Sequence, residues 1–212
     1  MDSRKKTARV AGLVYLLLIL FGVFAEVARS SLVVAGDAAM TVENIAASEW
    51  LFRLSFVSDL FMIISFLLLP LIFYKLLSRV GRTPALLMVI FALISVPIMF
   101  VNMIFYYALL LGTEHAILFF SLYTSGVMIA TIFHGLWLFP LGYLVYKSGW
   151  FPKILGIFLM LACFGFVIES FVFFLFPSYV IVTYPGMVFE VLGEFVFMFW
   201  LLIKGARFPR KE

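Results

Sequence analysis

Apolar residues run along this chain in six long blocks, and polar or turn-forming residues fill the gaps between them. The blocks cover about Val10–Ala28, Phe52–Leu77, Ala85–Leu111, Ala116–Tyr146, Ile154–Phe176 and Met187–Ile203. Each comes close to or exceeds the roughly 20 apolar residues a helix needs to cross a bilayer. None alternates with the period of two that barrel strands require. The gaps carry helix punctuation: Gly81 and Pro84 in SRVGRTP, the GTEH turn at Gly112–His115, Gly149 and Pro152 in KSGWFPK, and Pro177 and Pro185 in PSYVIVTYPG. The pattern predicts an all-α, polytopic transmembrane bundle of six helices. No hydrophilic stretch is long enough for a separate soluble domain, so residues 1–212 are read as a single transmembrane domain.

The first gap, SSLVVAGDAAMTVENIAASEW, has a logic of its own. Asp37 follows Gly36 and suits an N-cap, so Ala38–Trp50 is expected to form a short helix with Val42, Ile45, Ala46 and Trp50 apolar. Such a helix lies in the membrane interface with its Trp at headgroup level. It either lids a cavity or simply connects two spans.

Composition sharpens the class. Of 212 residues, 66% are hydrophobic and only 12% charged, against roughly 45–50% and 25% in soluble domains. The net charge of +4 would ordinarily raise the question of nucleic acid. The basic residues, however, sit at block ends and form no patch interleaved with aromatics, so nucleic acid is excluded as a partner. The basic start Met1–Arg9 and the apolar run after it resemble a secretory leader, with Val23-Phe24-Ala25 passing for a cleavage site. The run is read instead as a retained first span. Thirteen Lys and Arg fall on one side of the six-span threading and two, Arg29 and Arg53, on the other. By the positive-inside rule both termini are expected in the cytoplasm, with the protein in the plasma (inner) membrane.

Ionisable groups inside spans cost roughly 2.5–3.5 kcal/mol each at the bilayer centre and face protein or a wet cavity rather than lipid. Counted from the block ends, Glu26, Asp59, Asn102, Glu169, Glu190 and Glu194 all fall in the outer half, with Arg29 and Arg53 near the same rim. At 100° per residue Gly12, Tyr15, Ile19, Gly22, Glu26 and Arg29 share one stripe. Ser55, Ser58, Asp59, Met62 and Ser65 share another. Ala162 and Gly165 flank Glu169, and Gly186 and Gly193 flank Glu190 and Glu194, as expected beside close helix–helix seams. The expectation is one outward-facing acidic cavity, with Asp59, Glu169 and Glu194 as its floor and Glu26, Arg29, Arg53 and Glu190 as its rim. The same residues also read as interhelical ion pairs that only fix packing.

Other chemistry finds few parts. His134, the one histidine inside a span, is read as lying away from the acids, and haem ligation would need a second. Cys163, the single cysteine, rules out an intrachain disulfide or thiolate metal site. There is no nucleophile elbow and no HExxH, so no catalytic residue, metal or cofactor is assigned and an enzyme is disfavoured.

The segments ARVAGLVYLLLILFGVFAE, GDAAMTVENIAASEWLFRL, GLWLFPLGYLVYKSGWFPKILG and GEFVFMFWLLIKG together resemble a bacterial family of small multi-span proteins, catalogued as the domain of unknown function numbered four-three-eight-six. The resemblance covers nearly the whole chain and implies a bacterial or archaeal membrane protein, with no activity attached. It places Asp37, Asn44, Arg53, Asn102, Gly142, Ser148, Gly149, Pro152, Gly156 and Glu194 at positions the family shares, and His134 where a bulky aromatic is expected. The functional expectation is non-enzymatic binding or transport of a small cationic or amphiphilic ligand. An accessory or scaffold subunit and an intramembrane lipid-modifying enzyme stand as alternatives.

Overall fold

Each apolar block winds into one long helix in the computed structural model, which describes residues 3–34, 36–112 and 115–206. The helices are α1 (Ser3–Leu32), a short α2 (Ala38–Ala47), α3 (Glu49–Leu77), α4 (Arg82–Tyr107), α5 (Ala116–Ser148), α6 (Lys153–Leu175) and α7 (Tyr184–Ile203). Tight 3₁₀ turns at Ala108–Leu111 and Pro177–Thr183 extend α4 and precede α7. Six of the helices, all but α2, are long and apolar enough to cross a membrane. Thr113 and Glu114 of the expected GTEH turn, and Arg207, Arg210 and Lys211 of the basic tail, lie outside the described residues.

The long helices pack in chain order, α1 on α3, α3 on α4, α4 on α5, α5 on α6 and α6 on α7, and α1 against α7 closes the ring. Trp137 of α5 is fully buried within it, its ring 6.4 Å from Tyr15 of α1 and 5.3 Å from Phe66 of α3. The outer surface is apolar. On α1, Leu13, Leu17, Leu20 and Val27 are exposed, while Ala11, Tyr15, Ala25 and Arg29 are buried. Polar groups inside and apolar ones outside suit a hydrocarbon solvent, where every backbone group must be satisfied within its own helix.

Two helices, α5 and α6, meet backbone to backbone. A Cβ placed on Gly156 would lie 2.7 Å from the Tyr146 backbone nitrogen, so only glycine allows this approach.

Two boundaries differ from expectation. The short helix starts where Asp37 caps it, the carboxylate accepting from the Met40 N–H at 2.9 Å. It ends at Ala47 rather than Trp50, because Ser48 leaves helical geometry and its N–H closes the last turn on Asn44 and Ile45. Trp50 therefore belongs to the first turn of α3. The Pro177–Pro185 stretch, expected to be a turn, is mostly wound, and α7 begins at Tyr184 with Pro185 in its first turn.

Candidate functional site

The last turns of α1 carry Glu26 and Arg29 to the end of the bundle that holds α2, where α3 presents Asp59. Arg29 Nη1 donates to Glu26 Oε2, and Nη2 donates to Asp59 Oδ2. The guanidinium carbon also lies 5.0 Å from the Tyr106 ring centroid on α4 and 4.9 Å from that of Tyr123 on α5. Planar, delocalised Arg suits this mixture of carboxylates and aromatic faces better than Lys would. The cage is itself braced. Ser55 Oγ and the Tyr106 hydroxyl are 2.7 Å apart, and Asn102 Nδ2 donates to the Tyr123 carbonyl at 2.7 Å.

A cavity of about 160 Å³ adjoins this cage. Glu26, Arg29, Asp59 and Asn102 supply its polar wall, and Met62, Met99 and Met103 contribute flexible thioether side chains. Arg29 Nε and Asn102 Oδ1 are buried without a hydrogen-bond partner in the protein. The Asp59 side chain is 5% exposed and that of Glu26 is 68% exposed. Arg29 therefore balances the buried acid, and the negative charge left over sits on the accessible one.

A second polar centre lies deeper. Glu194 of α7 accepts from the Tyr15 hydroxyl through Oε2 at 2.9 Å, and its Oε1 is 3.3 Å from His134 Nε2. The His134 ring packs against Phe66 at 4.8 Å and Phe166 at 5.0 Å. One helical turn before Glu194, Glu190 is buried within electrostatic reach of Glu169 and Glu194, with Oε1 unpartnered. It sits at the α6–α7 crossing, where a Cβ on Gly186 would come within 2.8 Å of the Gly165 Cα.

The expected single floor of Asp59, Glu169 and Glu194 is thus two separate centres. Tyr15, which reaches Glu194, is about 21 Å along α1 from Arg29 at 1.5 Å per residue. Of the eight candidate residues, Glu26, Arg29, Asp59 and Asn102 meet at the cavity. Glu194 meets Tyr15 and His134, while Glu190 and half-buried Glu169 flank the α6–α7 seam. Exposed Arg53 pairs with Glu49 one turn earlier on α3, Nη2 to Oε1 at 2.6 Å. His134 does not lie away from the acids; it touches one. Glu194 lies deeper than a count from Met187 predicts, because Pro177–Thr183 is wound and α7 starts early, at Tyr184. Among the described residues no three of His, Cys, Asp and Glu converge as a metal site.

Six apolar helices closed around polar centres define a polytopic helical membrane protein. The family model for the Domain of unknown function (DUF4386) matches residues 10–205, and the chain belongs to that family. The chain is also similar to an uncharacterized protein of Archaeoglobus fulgidus, 43% identical over 76 residues, or 36% of this chain and 44% of the relative. The chain thus spans less than half the length of that relative. No solved structure matches.

Proposed function

We propose that this protein binds a small cationic or amphiphilic ligand in the cavity beside Arg29, as a receptor or transport-type site with no bond chemistry of its own. The carrying observation is a charge mismatch. Glu26 and Asp59 both bond the one guanidinium of Arg29, and the surplus carboxylate is the exposed one, at a cavity lined by three methionines. At roughly 30 Å³ per water, about 160 Å³ holds a ligand of only a few heavy atoms. An ammonium ion entering there neutralises Glu26 without displacing Arg29, and its apolar part meets Met62, Met99 and Met103. We place the site on the outer face of a plasma membrane, with the termini in the cytoplasm and α2 in the interface above the cavity.

The test is thermal unfolding of the purified protein in methylammonium, ethanolamine or tetramethylammonium chloride, against sodium chloride at equal ionic strength. A true ligand at a hundred times its Kd adds about 2.7 kcal/mol. Glu26→Gln, at an exposed position, is expected to fold and to lose most of that gain. Superimposable curves in every salt, for both proteins, would leave the cage as a helix-packing device in a scaffold subunit.

A further inference from the structure

At the end of the bundle opposite α2, a slot of about 610 Å³ opens between α4, α5 and α6. This is within the roughly 300–1,000 Å³ usual for small-molecule sites. Its walls are Leu87 and Phe91 from α4, Leu136 and Phe139 from α5 and Phe164 from α6. Pro140 lines it too, inside α5, where a missing backbone N–H interrupts the helix ladder over Leu136. From Thr83 at the mouth to Phe91 the slot descends about 12 Å at 1.5 Å per residue. That is most of one hydrocarbon leaflet, half of a core about 30 Å thick.

The mouth differs in character from the walls. Tyr143 lines it, and Lys147 Nζ donates to the Tyr143 hydroxyl at 3.2 Å while lying 5.5 Å from the centre of its ring. Arg82, exposed, immediately precedes the lining residue Thr83, and exposed Arg79 stands in the turn before it. An apolar slot spanning most of one leaflet, with Lys147 on the lining residue Tyr143 and Arg82 next to the lining residue Thr83 in the chain, matches an amphiphile with an anionic head and a long apolar tail. We infer that the groove between α4, α5 and α6 is a binding site for an anionic phospholipid, with one acyl chain against Leu87, Phe91 and Phe139 and the phosphate between Arg82 and Lys147. Basic pockets between membrane helices recognise anionic headgroups in this way. A zwitterionic lipid fills the slot as well but gains little net attraction at the rim. The site stands at the other end of the molecule from the Arg29 cavity and does not depend on it.

The experiment is native mass spectrometry of the full chain in mild detergent, after incubation with phosphatidylglycerol or phosphatidylcholine of identical acyl chains. Wild type is expected to retain a single phosphatidylglycerol with roughly thirtyfold preference, from two cations at the mouth. Arg82→Gln with Lys147→Gln should bring the preference below about threefold while leaving phosphatidylcholine retention unchanged. Leu87→Trp, which fills the slot, should lower retention of both lipids. Equal retention of the two lipids by wild type, or a preference that survives the double substitution, overturns the headgroup assignment. Retention unaffected by Leu87→Trp, with the variant's unfolding temperature unchanged, places the lipid elsewhere.

Discussion

The hydroxyl of Tyr15 donates a 2.9 Å hydrogen bond to Oε2 of Glu194, joining the first membrane helix to the last. Both residues are buried, and α1 and α7 are the two helices whose contact closes the ring. Tyr15→Phe keeps the ring packed on Trp137 and Phe73 and removes only the donor. A hydrogen bond to a buried carboxyl group is worth about 1–3 kcal/mol, and a loss of that size is expected in denaturant unfolding. The cycle with Glu194→Leu, which removes the acceptor, should show coupling of at least about 0.5 kcal/mol. Strict additivity would mean that the two side chains do not interact.

Removing Asp59 is expected to be far more damaging than removing Glu26, although both bond Arg29. Asp59→Ala leaves a buried guanidinium with only the exposed Glu26 as carboxylate partner, a loss of about 3–5 kcal/mol. Replacing both partners, Arg29→Met with Asp59→Leu, should recover much of it, since a buried pair exchanged for apolar groups is often neutral. Glu26→Gln should cost no more than about 1 kcal/mol, as solvent screens the pair. Equal losses for Asp59→Ala and Glu26→Gln in chemical unfolding would show that the pair is not desolvated as described.

Arg29 and Asp59 could be named from the sequence because a charge in an apolar block is conspicuous and its helical stripe can be counted. The six helices were legible for the same reason, and so was the Asp37 cap, whose bond to Met40 spans three residues. What could not be read was set by distant packing. Tyr106 and Tyr123 carry no charge that marks them in the sequence, and only the packing of α4 and α5 turns their faces onto Arg29. Of the hydroxyl residues of α5, Ser121, Thr124, Ser125 and Thr131 share an arc that His134 lies beside and not on, so no polar stripe indicates where it points. Glu194 lies deeper than a count from Met187 predicts because Pro177 and Pro185 read as breaks, whereas proline is tolerated in the first turns of the 3₁₀ segment and of α7.

The α5–α6 seam gives a prediction independent of charge. At Gly156 an added methyl group would meet the Gly142 carbonyl oxygen at 2.5 Å and the Tyr146 nitrogen at 2.7 Å, both backbone atoms that cannot rotate away. Gly156→Ala is therefore expected to cost about 1–3 kcal/mol through overpacking. At Gly22 the nearest atom is the flexible Met62 Cγ at 3.4 Å, so Gly22→Ala should be neutral or slightly stabilising. Equal behaviour of the two variants in thermal unfolding would show that the helices are not so closely apposed.

The short helix α2 supplies the last test. Asp37 sits in extended geometry and its carboxylate holds the Met40 N–H at 2.9 Å, while Thr41 Oγ1 accepts from the Val34 N–H at 3.0 Å and donates to the Asp37 carbonyl at 2.7 Å. Two local devices thus fix the start of a helix only ten residues long, too short to persist on its own. Asp37→Ala removes one and should weaken α2 by about 1 kcal/mol, with Asp37→Asn close to wild type because asparagine caps as well. Hydrogen exchange should then speed up by roughly fivefold over Met40–Ile45, with the six long helices unchanged. Exchange that rises equally across α1 and α3 would mean that α2 unfolds only with the bundle, and that its cap contributes to global rather than local stability.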